Sequence, residues 1–171
     1  MLTPLRAMKH LFFLCMLCVL LLPAPTLALD KADAVLVKKS EKMLYLMREG
    51  QVWRQFRIML GPRARGHKLQ EGDERTPEGK YILDRKNPNS GFYKSIRVSY
   101  PSAVDIQRAH KYNVDPGDNI MIHGMKNGWS EKTMLRAEKF NWTNGCIALR
   151  NGDMEQVWEA VDVGTPIEIQ P

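Results

Sequence analysis

Three features of the sequence predict a mainly β domain with two or three small helices. Most apolar residues fall in short or alternating runs, the pattern of strands rather than of amphipathic helices. Glycine, proline and asparagine separate these runs, as they do between neighbouring strands. Apolar residues recur with helical spacing in only a few stretches, most clearly near the C-terminus. No internal repeat and no low-complexity segment is evident.

The strands are predicted from these runs in chain order. Glu49-Gly50 lies between the second and third runs and indicates a hairpin. The short apolar run before His123 would deliver that residue at a strand end. The predicted strands cover residues 34–39, 43–48, 52–60, 79–83, 93–100, 119–123 and 165–169.

The remaining segments are read as helices and one long loop. Residues 61–78 are rich in glycine and proline, and so long a loop in a small domain is usually functional. A helix is predicted over 101–112, with Pro101 in its first turn. A second helix is predicted from the spacing of Met154, Val157, Trp158 and Val161, with Asn151 or Asp153 as its cap.

The N-terminus has the pattern of an export signal over residues 1–28. Arg6 and Lys9 precede an apolar run over 11–22, and Thr26-Leu27-Ala28 offers small residues for cleavage. The run is shorter than the roughly 20 apolar residues of a membrane span, although an uncleaved anchor is the alternative. Cleavage would leave one domain over residues 29–171, in the periplasm or cell envelope, with no stable membrane span.

Charge and composition exclude some function classes. The chain has a net charge of +6, and loss of Arg6 and Lys9 would leave +4. No Lys/Arg tract is interleaved with aromatic residues, so nucleic-acid binding is not expected. The candidate ligands His67, His110, His123 and Cys146 contain no compact pair, so neither a metal site nor a cofactor is predicted.

Cys146 is the candidate nucleophile. It would be the one cysteine left after the signal is removed, so it cannot form an internal disulfide and is inert, paired with another molecule, or reactive. A thiol needs a base to become a nucleophile, and His123 is better placed than His67 or His110 because it ends a predicted strand. The alternative is a small buried residue in a core strand with Ile147, and spacing alone does not decide between the two.

Residues around this pair are candidate substrate contacts. Gly124 would leave the site open, and Gly145 would let the backbone approach a substrate closely. Thr143 could bond the imidazole or the substrate. A basic cluster, Arg63, Arg65, His67 and Lys68, could bind carboxylates or be simply solvated.

These residues together carry a family resemblance. His123-Gly124 followed by Thr143-x-Gly145-Cys146-Ile147 resembles the signature of the L,D-transpeptidase (YkuD-type) catalytic domain. The segment 71–81, with Thr76-Pro77-Glu78-Gly79, and Ser99-Tyr100-Pro101 also agree. The likeness covers roughly residues 34–169. It implies a β-sandwich with a few short helices, acting on peptidoglycan stem peptides. It also implies Cys146 as nucleophile and His123 as its partner, oriented by a backbone carbonyl.

Two departures from the family pattern leave the reaction open. Asn144 and Ala148 stand where many members have histidine and arginine, and Arg150 is a candidate replacement charge or a solvated loop residue. The resemblance implies a thioester-forming L,D-transpeptidase. The Trp142-to-Ala148 form also resembles a branch with hydrolases that cleave meso-diaminopimelate linkages, including those to a wall-attached lipoprotein. A catalytically silent peptidoglycan-binding module is the third class.

Overall fold

The computed structural model describes residues 31–171, so the predicted signal peptide lies outside the described residues. This part of the chain is mainly β, as predicted, and contains eight strands and three short helices. No helix within it is long and apolar enough to cross a membrane. The strands are β1 (Ala34–Lys38), β2 (Met43–Arg48), β3 (Gln51–Arg57), β4 (Gly79–Asn87), β5 (Ser95–Val98), β6 (Met121–His123), β7 (Ile147–Ala148) and β8 (Pro166–Gln170). The helices are α1 (Ala103–Lys111), α2 (Glu131–Ala137) and α3 (Asn151–Ala160).

The eight strands form one sheet in the order β3-β2-β1-β8-β4-β5-β6-β7. Met59, two residues beyond β3, exchanges two backbone hydrogen bonds of 2.9 and 2.8 Å with Ala148 in β7. This single bridge brings the chain just after β3 next to β7, at the other end of the strand order. The sheet is therefore curled into a half-barrel. One curled sheet takes the place of the expected sandwich because this curl already encloses the core on its concave face.

Alternating side chains fill that core. In β1 and β2 every second residue is buried, and the same alternation recurs in β8. Residues from both halves of the sheet, such as Leu44 and Ile96, belong to one apolar cluster with α3. A strand that buries one face has a strongly specified register, which is why this pattern could be read from the sequence.

Most predicted strands are confirmed, with shifted ends. The predicted hairpin forms between β2 and β3, and Glu49 and Gly50 both have positive φ, at 52° and 74°. β4 runs four residues further than predicted because its polar second half pairs with β5 after an irregularity near Leu83. This extension is held by backbone pairing with β5 and not by burial of alternate apolar side chains. The alternation of apolar residues in the sequence could therefore not predict it.

The helices differ more from the prediction. Pro101 lies outside α1, where Ser102 is the N-cap and forms a capping box with Asp105. In α3 neither Asn151 nor Asp153 is the cap: Arg150 occupies that position without a side-chain cap bond. The sequence reading missed α2, since none of its residues is buried and its apolar spacing is weak.

Candidate active site

His123 lies at the end of a strand, and Cys146 lies directly before the strand that runs parallel to it. His123 ends β6 and Cys146 immediately precedes β7, with His123 paired to Ala148 in the register. Ile122 and Ile147, the preceding pair, both point into the main core. Because side chains alternate along extended chain, Cys146 and His123 project together on the other face, diagonally across the strand pair. The register therefore places the two candidate residues on one face of neighbouring segments of the chain.

The imidazole of His123 is buried and oriented by the backbone. Its Nδ1 donates a hydrogen bond of 2.6 Å to the carbonyl of Gly124. A carbonyl can only accept, so this bond places the proton on Nδ1 and leaves Nε2 as the basic nitrogen. The ring lies 4.3 Å from that of Phe92 and 5.8 Å from that of Trp142, between centroids. Burial lowers the pKa of His123, although the Gly124 carbonyl opposes this shift.

The Cys146 thiol is half-buried. It donates to the Asn119 carbonyl, with a Sγ–O distance of 3.5 Å. Burial raises the pKa of the thiol, while the Met121 backbone and the charge of Lys68 lower it to a lesser degree. A raised thiol pKa beside a lowered imidazole pKa means that the resting pair holds its proton on sulfur.

The turn before Cys146 is fixed by two threonines. Thr76 Oγ1 donates to the Gly145 carbonyl at 2.8 Å, and Thr143 Oγ1 donates to the Cys146 carbonyl at 2.7 Å. The Gly145 amide in turn donates to Thr143 Oγ1 at 3.3 Å. Thr143 is buried with both functions of its hydroxyl engaged inside the turn. These contacts give it a positioning role in place of the expected bond to substrate or imidazole.

Gly145 is required by conformation and by space. Its φ is +112°, a region that favours glycine, and a Cβ there would lie 2.5 Å from the Arg75 carbonyl oxygen. The close approach is therefore to the 61–78 loop within the protein. Asn144, beside it, is exposed at the tip of the turn, where an incoming substrate could reach it.

Gly124 does not open the site as expected. It is buried, and a Cβ there would lie 2.7 Å from both the Tyr93 carbonyl oxygen and Asn151 Oδ1. Asn151 Oδ1 accepts from the Met125 amide at 2.9 Å, which ties the start of α3 to the chain after β6. Glycine at 124 thus permits close packing, and its carbonyl orients His123.

Arg150 is directed away from the thiol. Its guanidinium pairs with Glu138 at 2.5 Å and its side chain is 62% exposed. It lines a surface cavity with Met59 and Phe140, and neither Cys146 nor His123 contributes to that cavity. Arg150 therefore does not supply charge at the position of Ala148.

Ala148 is the centre of a second apolar cluster that the sequence reading did not foresee. It is fully buried with Met59 and Met125. Side chains from the segment around α2 close over them, and the Trp129 and Trp142 rings lie 5.0 Å apart. The only sign of this cluster in the sequence is the recurrence of aromatic and methionine residues at 125–142. Their spacing is that of neither a helix nor a strand, so it does not predict which of them pack together. The cluster is completed by Trp129, Met134, Ala137 and Trp142.

The predicted basic cluster at 63–68 is divided by the fold. Lys68 is buried and bonded to Asp73 at 3.0 Å, so it stabilises the loop. His67 accepts from the Glu78 amide at Nδ1 and has Nε2 3.1 Å from the Asp105 carboxylate. Only Arg63 and Arg65 remain exposed.

The chemistry of the site can be stated from these contacts. A neutral thiol and an imidazole with a free Nε2 share one face, and a tightly bonded turn holds the thiol. Within residues 31–171 no group of three or more His, Cys, Asp or Glu side chains could hold a metal ion. The arrangement suits nucleophilic attack by sulfur with histidine as the base.

Known proteins resemble this chain in sequence and in fold. YafK of Escherichia coli (strain K12), provisionally named an L,D-transpeptidase, is 43% identical over 61 residues, which are 34% of this chain and 23% of YafK. The helical cell shape determining protein Pgp2 of Campylobacter jejuni has a TM-score of 0.59 at 28% identity, over 80% of this chain and 46% of Pgp2. An L,D-transpeptidase from Mycobacterium smegmatis has a TM-score of 0.52 at 16% identity, over 81% of this chain and 58% of that one, and supports the fold alone.

This chain thus spans about a quarter of the curated relative and about half of each similar structure. The model of the YkuD L,D-transpeptidase catalytic domain matches residues 32–169, nearly all that the structure describes. The chain belongs to the L,D-transpeptidase catalytic-domain (YkuD) family.

Proposed function

We propose that the protein is a cysteine L,D-transpeptidase that acts on peptidoglycan stem peptides through a thioester. The observation that carries this proposal is the register that sets His123, at the end of β6, beside β7, which Cys146 directly precedes, inside a domain of this family. Export to the periplasm or cell envelope, predicted from residues 1–28, would bring the protein to this substrate.

In the first half-reaction His123 Nε2 takes the thiol proton as Cys146 Sγ attacks the amide carbonyl of the stem. The tetrahedral oxyanion collapses to a thioester, and the terminal D-residue leaves as an amine that receives the proton from His123. The neutral resting pair is consistent with transfer of this proton during attack, because burial disfavours a preformed thiolate.

In the second half-reaction an acceptor amine attacks the thioester. His123 takes the amine proton and returns it to sulfur as the new amide forms. Asn144, exposed beside the nucleophile, is placed to contact either substrate. Thr143, Gly145 and Gly124 act by holding the turn and the imidazole, and Arg150 has no part in this proposal.

A hydrolase is the second candidate, and the burial of Ala148 favours it. Where many members have arginine, this chain has an apolar cluster that offers no charge to a substrate carboxylate. With a weakly held acceptor, water would attack the same thioester. The result would be cleavage at meso-diaminopimelate linkages, including release of a wall-attached lipoprotein.

The test is digestion of purified sacculi by the wild type and by Cys146→Ala, with mass spectrometry of the muropeptides. We expect 3-3 crosslinks or cleaved diaminopimelate ends from the wild type, and neither product from the variant. Cys146→Ala should keep the fold, so thermal unfolding of both proteins is the control. Products from a folded Cys146→Ala protein would overturn the assignment of the nucleophile. The ratio of crosslinked to free ends decides between transferase and hydrolase.

A further inference from the structure

A cationic cavity of about 720 Å³ lies beside the turn that carries Cys146. Its volume is within the range of sites that hold small ligands, roughly 300 to 1,000 Å³. Neither Cys146 nor His123 lines it, so it is distinct from the site of the reaction. The charged side chains that line it are five cations and one carboxylate: Lys39, Lys42, Arg63, Arg65, Arg75 and Glu78.

Most of this positive charge is not neutralised by the protein. Glu78 pairs with Lys39 at 2.8 Å, and Arg63 is 3.7 Å from Glu74 with its side chain 73% exposed. Across residues 31–171, Lys42, Arg65 and Arg75 form no ion pair. Cations of one sign in a concave surface repel one another and focus a positive potential, which attracts an anionic ligand.

The cavity is built on a fixed framework. Lys39 is buried, and its Nζ donates to the Gly66 and Thr76 carbonyls at 2.7 and 3.0 Å. These bonds hold the loop that presents Arg63 and Arg65. Because the backbone of this loop is already hydrogen-bonded, its guanidinium groups are held in place before a ligand arrives. Binding then does not have to order the loop, which favours affinity.

The cavity is also connected to the nucleophile turn. Arg75, one of its cations, has its carbonyl packed against Gly145, and Gly61, at the start of the loop, is packed against the Thr143 carbonyl. An anion bound here would therefore lie next to the turn, in a cavity that neither Cys146 nor His123 lines.

We propose that this cavity binds a second, non-reacting peptidoglycan stem peptide through its free carboxylates and anchors the enzyme on the wall. The inference rests on the proposed function for the identity of the wall as substrate. Carboxylates fit because guanidinium groups recognise them with paired hydrogen bonds, and stem peptides carry several of them.

The test measures binding to sacculi in the Cys146→Ala background, where no turnover is needed. We compare Lys42→Gln/Arg65→Gln with Lys80→Gln/Arg85→Gln, which removes two exposed cations from β4 that line no cavity described above. Co-sedimentation should show about a tenfold loss of affinity for the first pair only, the effect of one or two lost charge-assisted contacts. Equal affinities of both pairs would overturn the proposal.

A second arm identifies the anion. Sacculi whose carboxyl groups have been amidated should bind the Cys146→Ala protein as weakly as native sacculi bind the Lys42→Gln/Arg65→Gln form. On amidated sacculi that double variant should cause no further loss. Undiminished binding to amidated sacculi would exclude carboxylates as the ligand.

Failure of the function and failure of this inference give different results. In proteins that keep the thiol, iodoacetamide should alkylate Cys146 at the same rate with either pair of substitutions, which checks the integrity of the turn. If the wild type releases no products but binding still depends on Lys42 and Arg65, the reaction is wrong and the anchoring site stands. If products form but binding does not depend on Lys42 or Arg65, the proposed reaction stands and the anchoring site is wrong.

Discussion

The nucleophile turn is held between two regions that are built by opposite means. On one side, the 61–78 loop has no helix or strand and is fixed by buried polar groups, with Lys39 and Lys68 bonding its carbonyls and carboxylates. On the other side, residues 125–142 pack around Ala148 through methionine and tryptophan side chains. The irregular loop is thus held by satisfied hydrogen bonds, whereas the lightly buried α2 segment is held mainly by apolar contacts, with the Glu138–Arg150 pair at its end.

The first prediction removes the main polar support. Lys39→Met should destabilise the protein by about 3 kcal/mol, because Glu78 and two carbonyls lose a buried cationic partner. Urea unfolding measures the loss, and Lys38→Met, at the exposed neighbouring position, is the control. If both variants unfold at the same urea concentration, hydrogen bonding from Lys39 does not hold the loop.

The second prediction overfills the apolar support. Ala148→Arg should cost about 2 to 3 kcal/mol and should not create crosslinking activity, because Ala148 is fully buried and its neighbours leave no room for a guanidinium. Ala103→Arg, at an exposed alanine in α1, is the matched control in thermal unfolding. A stable Ala148→Arg protein that forms more 3-3 crosslinks would show that residues 125–142 move aside, as a weakly held region can.

The third prediction concerns the Cys146 thiol, which the 61–78 loop influences through the charge of Lys68. Burial raises the pKa of Cys146 above its ordinary value of 9.0, and Lys68 lowers it by less. A raised pKa means less thiolate at any given pH, so iodoacetamide alkylation should reach half its maximal rate above pH 9.0. A preformed thiolate–imidazolium pair would instead stay reactive in acid. Alkylation of wild-type Cys146 at pH 5 that is lost in His123→Ala would show that the pair is ionised, and would contradict this prediction.

The fourth prediction has the smallest effect. Arg150→Ala should cost at most about 1 kcal/mol, since its pair with Glu138 is largely solvated on the arginine side. Activity on sacculi should stay within about twofold, because a residue outside the site changes neither binding nor chemistry. A tenfold fall in activity without loss of stability would place Arg150 in the substrate site after all.

The sequence predicted the parts of the fold that depend on local pattern. Alternation gave β1, β2 and β8 with errors of one residue at their ends, and Glu49-Gly50 located the hairpin. Alternation failed where strand pairing determines the structure, as in the second half of β4. It also failed where no side chain is buried, as in α2. In both cases the stabilising contact lies with a partner strand or segment that is distant in sequence.

The candidate site divides in the same way. Cys146 and His123 were identified from residue types and a motif, and their use as nucleophile and base stays a prediction. Their common face depends on the register of β6 with β7, which the chain acquires only when the sheet forms. The roles of Thr143, Gly124 and Arg150 were open in the sequence, because a hydroxyl, a glycine or a guanidinium can serve substrate or structure equally well.

Local patterns in the sequence were enough to predict the mainly β class, the position of the hairpin turn, and Cys146 and His123 as the candidate pair. The tertiary structure alone decided that the sheet curls on itself, that Ala148 is enclosed and that five cations surround one cavity. The two groups of features differ in the sequence distance over which the underlying interactions act. Alternation and turn conformation act between residues a few positions apart, whereas burial, pKa and electrostatic potential are set by groups that meet only in the folded chain.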